Sequence, residues 1–192
     1  TLFCYFTSGL VLLPLTKINF HKGGVVMKQK TALWQLGFRP FFLFGSILSL
    51  FYMLIWALIQ NTSIQRVGAL APMVWHGHEM IYGFAIAVVA GFVLTASQNW
   101  SGIRGVHGSK LKLLFALWLT ARVLIIALPY DTIFTAVIDL SFLPFTGFLL
   151  RPYLKDVELR SERIFFIYFL VLMIGNTLVH TEALGITENT ST

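Results

Sequence analysis

Five long apolar stretches constrain this chain more than any other feature of its sequence. Each is roughly 18 residues or longer, which lets a helix rising about 1.5 Å per residue cross a hydrocarbon core of about 30 Å. Only 11% of the residues are charged, whereas soluble domains average about 25%. We therefore predict an all-α protein, a polytopic transmembrane helix bundle of five spans. The predicted spans are 41–59, 77–97, 111–128, 132–150 and 164–181.

Basic residues are unevenly distributed among the loops between these stretches. The chain has 14 Lys and Arg against 8 Asp and Glu, a formal net charge of +6 that could indicate nucleic-acid binding. Arg66 alone lies in one set of alternate loops, and Arg122 lies within a span. The other twelve lie before the first span or in the second and fourth loops and their flanks: Lys17, Lys22, Lys28, Lys30, Arg39, Arg104, Lys110, Lys112, Arg151, Lys155, Arg160 and Arg163. Because such residues mark cytoplasmic loops, we predict a multi-pass protein with a cytoplasmic N-terminus and no nucleic-acid partner.

Residues 1–26 fit this organisation poorly. Their first 16 residues are apolar but short, with no basic segment ahead of them, so a secretory signal peptide is not favoured. Met27 opens the sequence MKQK, and codons for Lys22, Gly23 and Gly24 can contain a ribosome-binding sequence. We expect residues 1–26 to be a non-native leader, 27–181 the bundle and 182–192 a tail on the outer side. A broken extra span is the alternative.

The motif WHGHEM, residues 75–80, places two imidazoles, a carboxylate and a thioether at the outer mouth of the second span. His76 and His78 would point about 200° apart on a regular helix. Either Gly77 bends the backbone so that the imidazoles converge, or each imidazole has a different partner. Glu79 shares a helix face with His76 if the helix has already begun there, and if His76 binds a metal ion we expect Glu79 to accept the free N–H of that ring. Met80 is a candidate soft metal ligand.

The fifth span ends at the same outer surface. His180 therefore lies at the depth of the motif, with Asn176 one turn below it. These positions make His76, His78, His180 and Met80 the candidate metal ligands. The alternative is that the histidines are ordinary polar residues at a membrane surface and that Met80 is a packing residue.

Two further patterns lie inside the spans. Arg122 and Asp139 are each about 10 Å from the outer surface at 1.5 Å per residue, on spans joined by a short turn. Because a lone ion in lipid costs at least about 2.5–3.5 kcal/mol, we predict an Arg122–Asp139 ion pair, with Glu79 as an alternative partner of Arg122. Small residues recur every fourth position in the second span and predict close helix packing. This stripe runs from Glu79 through Gly83, Ala87 and Gly91 to Thr95.

Three stretches of the sequence resemble one family. They are LGFRPFFLFGS (36–46), WHGHEMIYGFAIAVVAGFVLTASQNWSG (75–102) and ALWLTARV (116–123). All three are similar to the NnrS family of bacterial haem- and copper-containing membrane proteins, and the second is long and specific. The likeness continues more weakly through ERIFFIYFLVLMIGNTLVH (162–180), so it covers about residues 33–180.

The resemblance implies haem and copper as cofactors and nitric oxide or nitrosyl species as partners. It further implies a role in protection against nitrosative stress, linked to denitrification, in the bacterial cytoplasmic membrane. It places His76, His78 and Glu79 on the family's HxHE motif, Asn99 and Trp100 on its NW motif, and Arg122 on an arginine of the third span. The implied cofactor-binding residues are His76, His78, Glu79, Arg122 and His180, with Arg122 also a candidate partner of a haem propionate.

The chain departs from the family in length. Family members have roughly twelve spans, so we expect this sequence to correspond to the N-terminal half and to have the remaining C-terminal half as a partner. Whether such a protein is an enzyme is left open. An ion- or solute-translocating protein, using Glu79, Asp139 and Arg122 along an internal path, is one alternative function. An inactive truncated fragment is the other.

Overall fold

The computed structural model describes residues 32–128, 132–154 and 164–186. These residues are helical apart from loops and turns, and they contain no β-strand, so the all-α prediction is confirmed. The α-helices are α1 (Phe38–Gln60), α2 (Pro72–His78), α3 (Ile86–Ser101), α4 (Ser109–Ala127), α5 (Ile133–Leu150) and α6 (Ile164–Ala183). A π-helical segment, Glu79–Ala85, joins α2 to α3, and single 3₁₀ turns lie at Ala32–Gln35 and Arg151–Leu154.

Each of the five predicted spans corresponds to a helix or a continuous helical rod. Three helical stretches of the described chain are long and apolar enough to cross a membrane: Phe38–Gln60, Pro72–Ser101 and Ile133–Tyr153. α4 has 19 residues but carries Lys110, Lys112 and Arg122, and the stretch Ile167–Ala183 within α6 is a shorter apolar helix. Large apolar side chains are exposed along α1, including Leu50 at 69%, as expected of a surface facing lipid. These apolar helices indicate membrane association.

Helix boundaries differ from the predicted spans mainly in the second one. That rod begins at Pro72, five residues before the predicted start at residue 77, because proline is well suited to the first turn of a helix. It ends at Ser101, followed by Gly102 in the left-handed conformation that commonly terminates helices. The expected leader, residues 1–26, lies outside the described residues, as does most of the expected tail.

The small-residue stripe packs α3 closely against α1. A Cβ atom on Gly91 would lie 2.9 Å from the Cβ of Phe41 and 3.3 Å from the backbone oxygen of Gly37. One turn away, the backbone N–H of Phe38 donates a hydrogen bond of 2.9 Å to Oγ1 of Thr95. The two backbones approach this closely only because the residue at position 91 has no side chain, so the predicted packing role of the stripe is confirmed.

The loops meet at the two ends of the bundle as the basic residues predicted. At one end, Gly108 N–H donates to the backbone oxygen of Trp34 at 2.8 Å, and the Tyr153 hydroxyl donates to that of Arg104 at 2.9 Å. The start of α1, the α3–α4 loop and the end of α5 therefore share this basic end. His180 and the turn at Gly68 lie at the opposite end. That the basic end faces the cytoplasm stays a prediction.

Candidate metal centre

The WHGHEM motif lies where a regular α-helix changes into a wider π-helical segment. α2 ends at His78, and the π segment begins at Glu79. A π turn closes its hydrogen bonds five residues apart instead of four and is frequently found at functional sites. Glu79 is completely buried at this point.

The helix directs the two imidazoles of the motif toward different neighbours. The His76 ring stacks on Trp56 of α1, with ring centroids 4.4 Å apart and an angle of 17° between the planes. The His78 ring is buried in the bundle. Gly77 is helical and exposed, so the backbone does not bend to bring the imidazoles together. Of the two arrangements that the sequence left open, the structure has the one with separate partners.

His78, Asp139 and His180 form a buried group that we call the His–Asp–His group. Oδ2 of Asp139 lies 3.2 Å from Nε2 of His78 and 3.0 Å from Nε2 of His180. The two imidazole rings meet edge to face, with centroids 5.7 Å apart. One potential ligand atom from each residue lies within 4.8 Å of the other two, a spacing at which they could hold one metal ion.

Hydrogen-bond acceptors surround both ring nitrogens of His78. Oε1 of Glu79 lies 3.2 Å from Nδ1, and Oδ1 of Asn176 lies 2.9 Å from Nε2, beside the Asp139 carboxylate. The Asn176 amide is oriented by its other end, which donates from Nδ2 to Oδ2 of Asp139 at 2.7 Å. A neutral imidazole has a single N–H. One nitrogen of neutral His78 therefore directs a lone pair at an acceptor, unless a cation lies between them.

Arg122 bridges the two buried carboxylates of the site. Its Nη1 donates to Glu79 at 3.3 Å and 3.4 Å from the two carboxylate oxygens, and its Nη2 donates to Asp139. The predicted Arg122–Asp139 pair is therefore confirmed, and the alternative partner Glu79 is bound as well. With neutral histidines, two carboxylates and one guanidinium leave this buried group with one unmatched negative charge.

The structure corrects one expected contact and adds two residues to the site. The expectation that Glu79 accepts from His76 is wrong, because the His76 ring lies against Trp56 and Glu79 contacts His78 instead. The sequence placed Asp139 in an ion pair with Arg122 and, under the alternative function, along an internal path, but did not include it among the metal or cofactor ligands. Asn176 was noted only as the residue one turn below His180.

Met80 is partly buried. It packs against an apolar cluster that includes Tyr52, Trp75 and Ile125. The described contacts of Met80 are therefore those of a packing residue, and the donors around Asp139 are nitrogen and oxygen atoms.

A tight turn covers the end of the site that lies away from the basic end of the bundle. Gly68 has a positive φ of 59°, and a Cβ atom there would lie 2.1 Å from the backbone oxygen of Ile125. This close approach holds Ala69 and Leu70 beside His180, where they line a cavity of about 10 Å³. Such a volume is roughly that needed for one water molecule. The His–Asp–His group is thus closely enclosed.

One of three comparisons with known proteins finds a match, and it is to the family that the sequence motifs resemble. No curated protein sequence and no solved structure is significantly similar to this chain. A family model described as NnrS protein matches residues 32–192, a range that includes WHGHEM, Arg122, Asp139 and His180. Since the match extends over most of the sequence and includes every residue of the buried site, the chain belongs to the NnrS family.

Proposed function

We propose that this NnrS-family protein binds a transition-metal ion through His78, Asp139 and His180. Copper is the ion that the family resemblance favours. We further propose that the ion binds nitric oxide or a nitrosyl species and that the protein thereby protects a bacterium against nitrosative stress. The proposed location is the cytoplasmic membrane with the basic end inside, which the distribution of Lys and Arg supports.

The main support for this proposal is the arrangement of hydrogen-bond acceptors around His78. If Nδ1 of His78 donates its proton to Glu79, then Nε2 presents a lone pair toward Asp139 and His180. A carboxylate that accepts the second N–H of a metal-bound histidine is the usual way in which such a ligand is oriented. A bound cation would also balance the unmatched negative charge, whereas an unbalanced charge at membrane depth is costly.

The donor set suits a small ion better than haem. Imidazole nitrogen together with carboxylate oxygen suits copper(II) and iron(II), and Arg122 holds the Asp139 carboxylate in place. The cavity beside His180 measures about 10 Å³, far too small for a porphyrin. Haem therefore does not fit at the His–Asp–His group.

An apolar groove lies beside the charged site and has Arg122 in its lining. It has a volume of about 260 Å³, lies between α1 and α4, and is lined by Phe51, Val123 and other apolar side chains together with Tyr52 and Arg122. Nε of Arg122 is buried and has no hydrogen-bond partner within the described part of the chain. Nitric oxide is small and apolar, so it could enter through this groove from the bilayer. Bound copper would supply a redox-active ion to which nitric oxide can bind.

Loading the purified chain with copper(II) in detergent tests the proposal. We expect about one tightly bound ion per chain and an electron paramagnetic resonance spectrum with nitrogen hyperfine splitting from imidazole. His180→Gln should weaken copper binding about 100-fold or more, because it removes a ligand and substitution of even an outer hydrogen-bonding partner typically weakens metal binding 10- to 100-fold. Nitric oxide should change the spectrum of the loaded protein.

His107→Gln is the matched control, because His107 is a partly buried histidine at the basic end. This variant should retain copper affinity and hyperfine splitting. Equal copper binding by the His180 and His107 variants would refute the site. Absence of tight copper binding in the unmodified chain would contradict the proposed metal site. If nitric oxide leaves the spectrum unchanged, the proposed binding of nitric oxide is contradicted, but the proposed metal site is not.

A further inference from the structure

A basic cleft lies at the end of the bundle opposite to the His–Asp–His group. Its volume is about 640 Å³, and its lining includes three cationic side chains, Arg104, Lys110 and Arg151. Within the described residues, this lining contains no carboxylate. α4 begins at the cleft with Ser109, and its preceding residue, Gly108, offers no side-chain cap to the first N–H groups. Free N–H groups at a helix start favour an anion, so this cleft is electrostatically suited to a negatively charged group.

A second, apolar groove adjoins the cleft and shares two residues with it. The groove has a volume of about 440 Å³ and lies between α5 and α6, lined by side chains that include Leu143, Phe169 and Met173. Phe148 and Arg151 line both spaces. From Arg151 to Leu143 the groove follows α5 for about 12 Å at 1.5 Å per residue. The two spaces together therefore match a molecule with an anionic end and an apolar chain.

We propose that the cleft and groove bind one anionic phospholipid. Its phosphate would lie between Arg104, Lys110 and Arg151, and one acyl chain would follow the groove beside Gly147. The position supports this occupant, because Arg151 directly follows α5 at the end of a membrane-spanning stretch, where headgroups lie. Basic pockets between transmembrane helices are recurrent sites for anionic headgroups. This inference is independent of metal binding.

Native mass spectrometry of the delipidated chain in detergent tests the proposal with three probes. These are phosphatidylglycerol, phosphatidylcholine with the same acyl chains, and glycerol phosphate without chains. We expect phosphatidylglycerol to bind about tenfold more tightly than phosphatidylcholine, and glycerol phosphate to bind most weakly. Arg104→Gln with Arg151→Gln should weaken phosphatidylglycerol binding about 25-fold, since each cation near a headgroup contributes about fivefold.

Two further variants separate the charge from the groove. Arg66→Gln removes an exposed cation from the opposite end and should change lipid affinity less than twofold. Gly147→Phe should fill the groove and weaken phosphatidylglycerol binding while leaving glycerol phosphate binding unchanged. Lipid-free unfolding temperatures close to that of the unmodified chain show that the variants fold.

Three results would overturn the proposal. The first is equal affinity for the two phospholipids. The second is glycerol phosphate binding as tight as that of phosphatidylglycerol, which would mean a site for free phosphate. The third is a dimer that Gly147→Phe dissociates, which would identify the groove as an interface between copies of this chain.

Discussion

Arg122→Met is expected to lower the free energy of unfolding by about 3–5 kcal/mol, the range for removing one partner of a buried ion pair. Arg122 is 1% exposed and contacts both Glu79 and Asp139. Its loss would leave two buried carboxylates close together without a cation, so the unmatched charge of the group would rise from one to two. The measurement is unfolding of the purified chain in mixed micelles by increasing denaturing detergent.

Asp139→Asn should cost less, about 1–3 kcal/mol, the range for leaving buried hydrogen-bonding groups unsatisfied. This variant keeps Arg122 paired with Glu79 and removes the unmatched charge, although His180 and Asn176 lose a charged acceptor. The double variant should be more stable than the two single effects predict together, because removing Asp139 also removes a repulsion created by removing Arg122. Strict additivity would show that the two residues are not coupled.

Arg66→Met is the control for this series. Arg66 is an exposed arginine at the same end of the bundle, and its replacement should change the free energy of unfolding by less than about 0.5 kcal/mol. If Asp139→Asn proves more destabilising than Arg122→Met, then charge balance does not dominate the energetics of the site. Hydrogen bonds to Asp139 would then be the larger contribution.

The sequence predicted which residues share a depth in the membrane, because spans and loops follow from hydrophobic length and charge. That reasoning placed Arg122 beside Asp139 and His180 at the level of His78, and the structure has both contacts. Depth requires only a count of residues from the helix end. It depends little on how the helices rotate about their axes.

Rotation of the helices is what the sequence did not specify. The π segment at Glu79 changes the angular position of the residues that follow it, and this segment packs against α1 and α4. The pattern HxHE is compatible with either imidazole facing inward. Trp56 stacks on His76, which leaves His78 as the imidazole that faces the bundle interior. A contact between two separate helices cannot be recognised within a motif of six residues.

The sequence likewise did not predict that Asp139 contacts two histidines. Its carboxylate meets His78 and His180 only because α5 packs against α6 and α6 against α2. In the sequence, pairing with an arginine at the same depth is a sufficient reason for a buried acidic residue, so no further partner is predicted. The second oxygen of the carboxylate, which faces the histidines, becomes evident only in three dimensions.

Gly91→Leu is expected to lower the free energy of unfolding by about 3 kcal/mol, near the upper end for overpacking a closely packed interior. A Cβ atom at this position would already lie 2.9 Å from the Cβ of Phe41 and 3.2 Å from the Cα of Phe38. Neither atom is the flexible end of a side chain, so α1 and α3 would have to separate. The measurement is again detergent-induced unfolding, compared with the unmodified chain.

Gly77→Leu is the matched control, since Gly77 is also helical, but a Cβ atom there would meet no described atom within 4 Å beyond its own stretch of helix. Replacing an exposed helical glycine improves helix propensity by up to about 1 kcal/mol, so this variant should be neutral or slightly more stable. The difference between the two variants isolates the close approach of α1 and α3, because the chemical change is the same. Equal stability of the two variants would mean that the small-residue stripe does not determine how closely these helices pack.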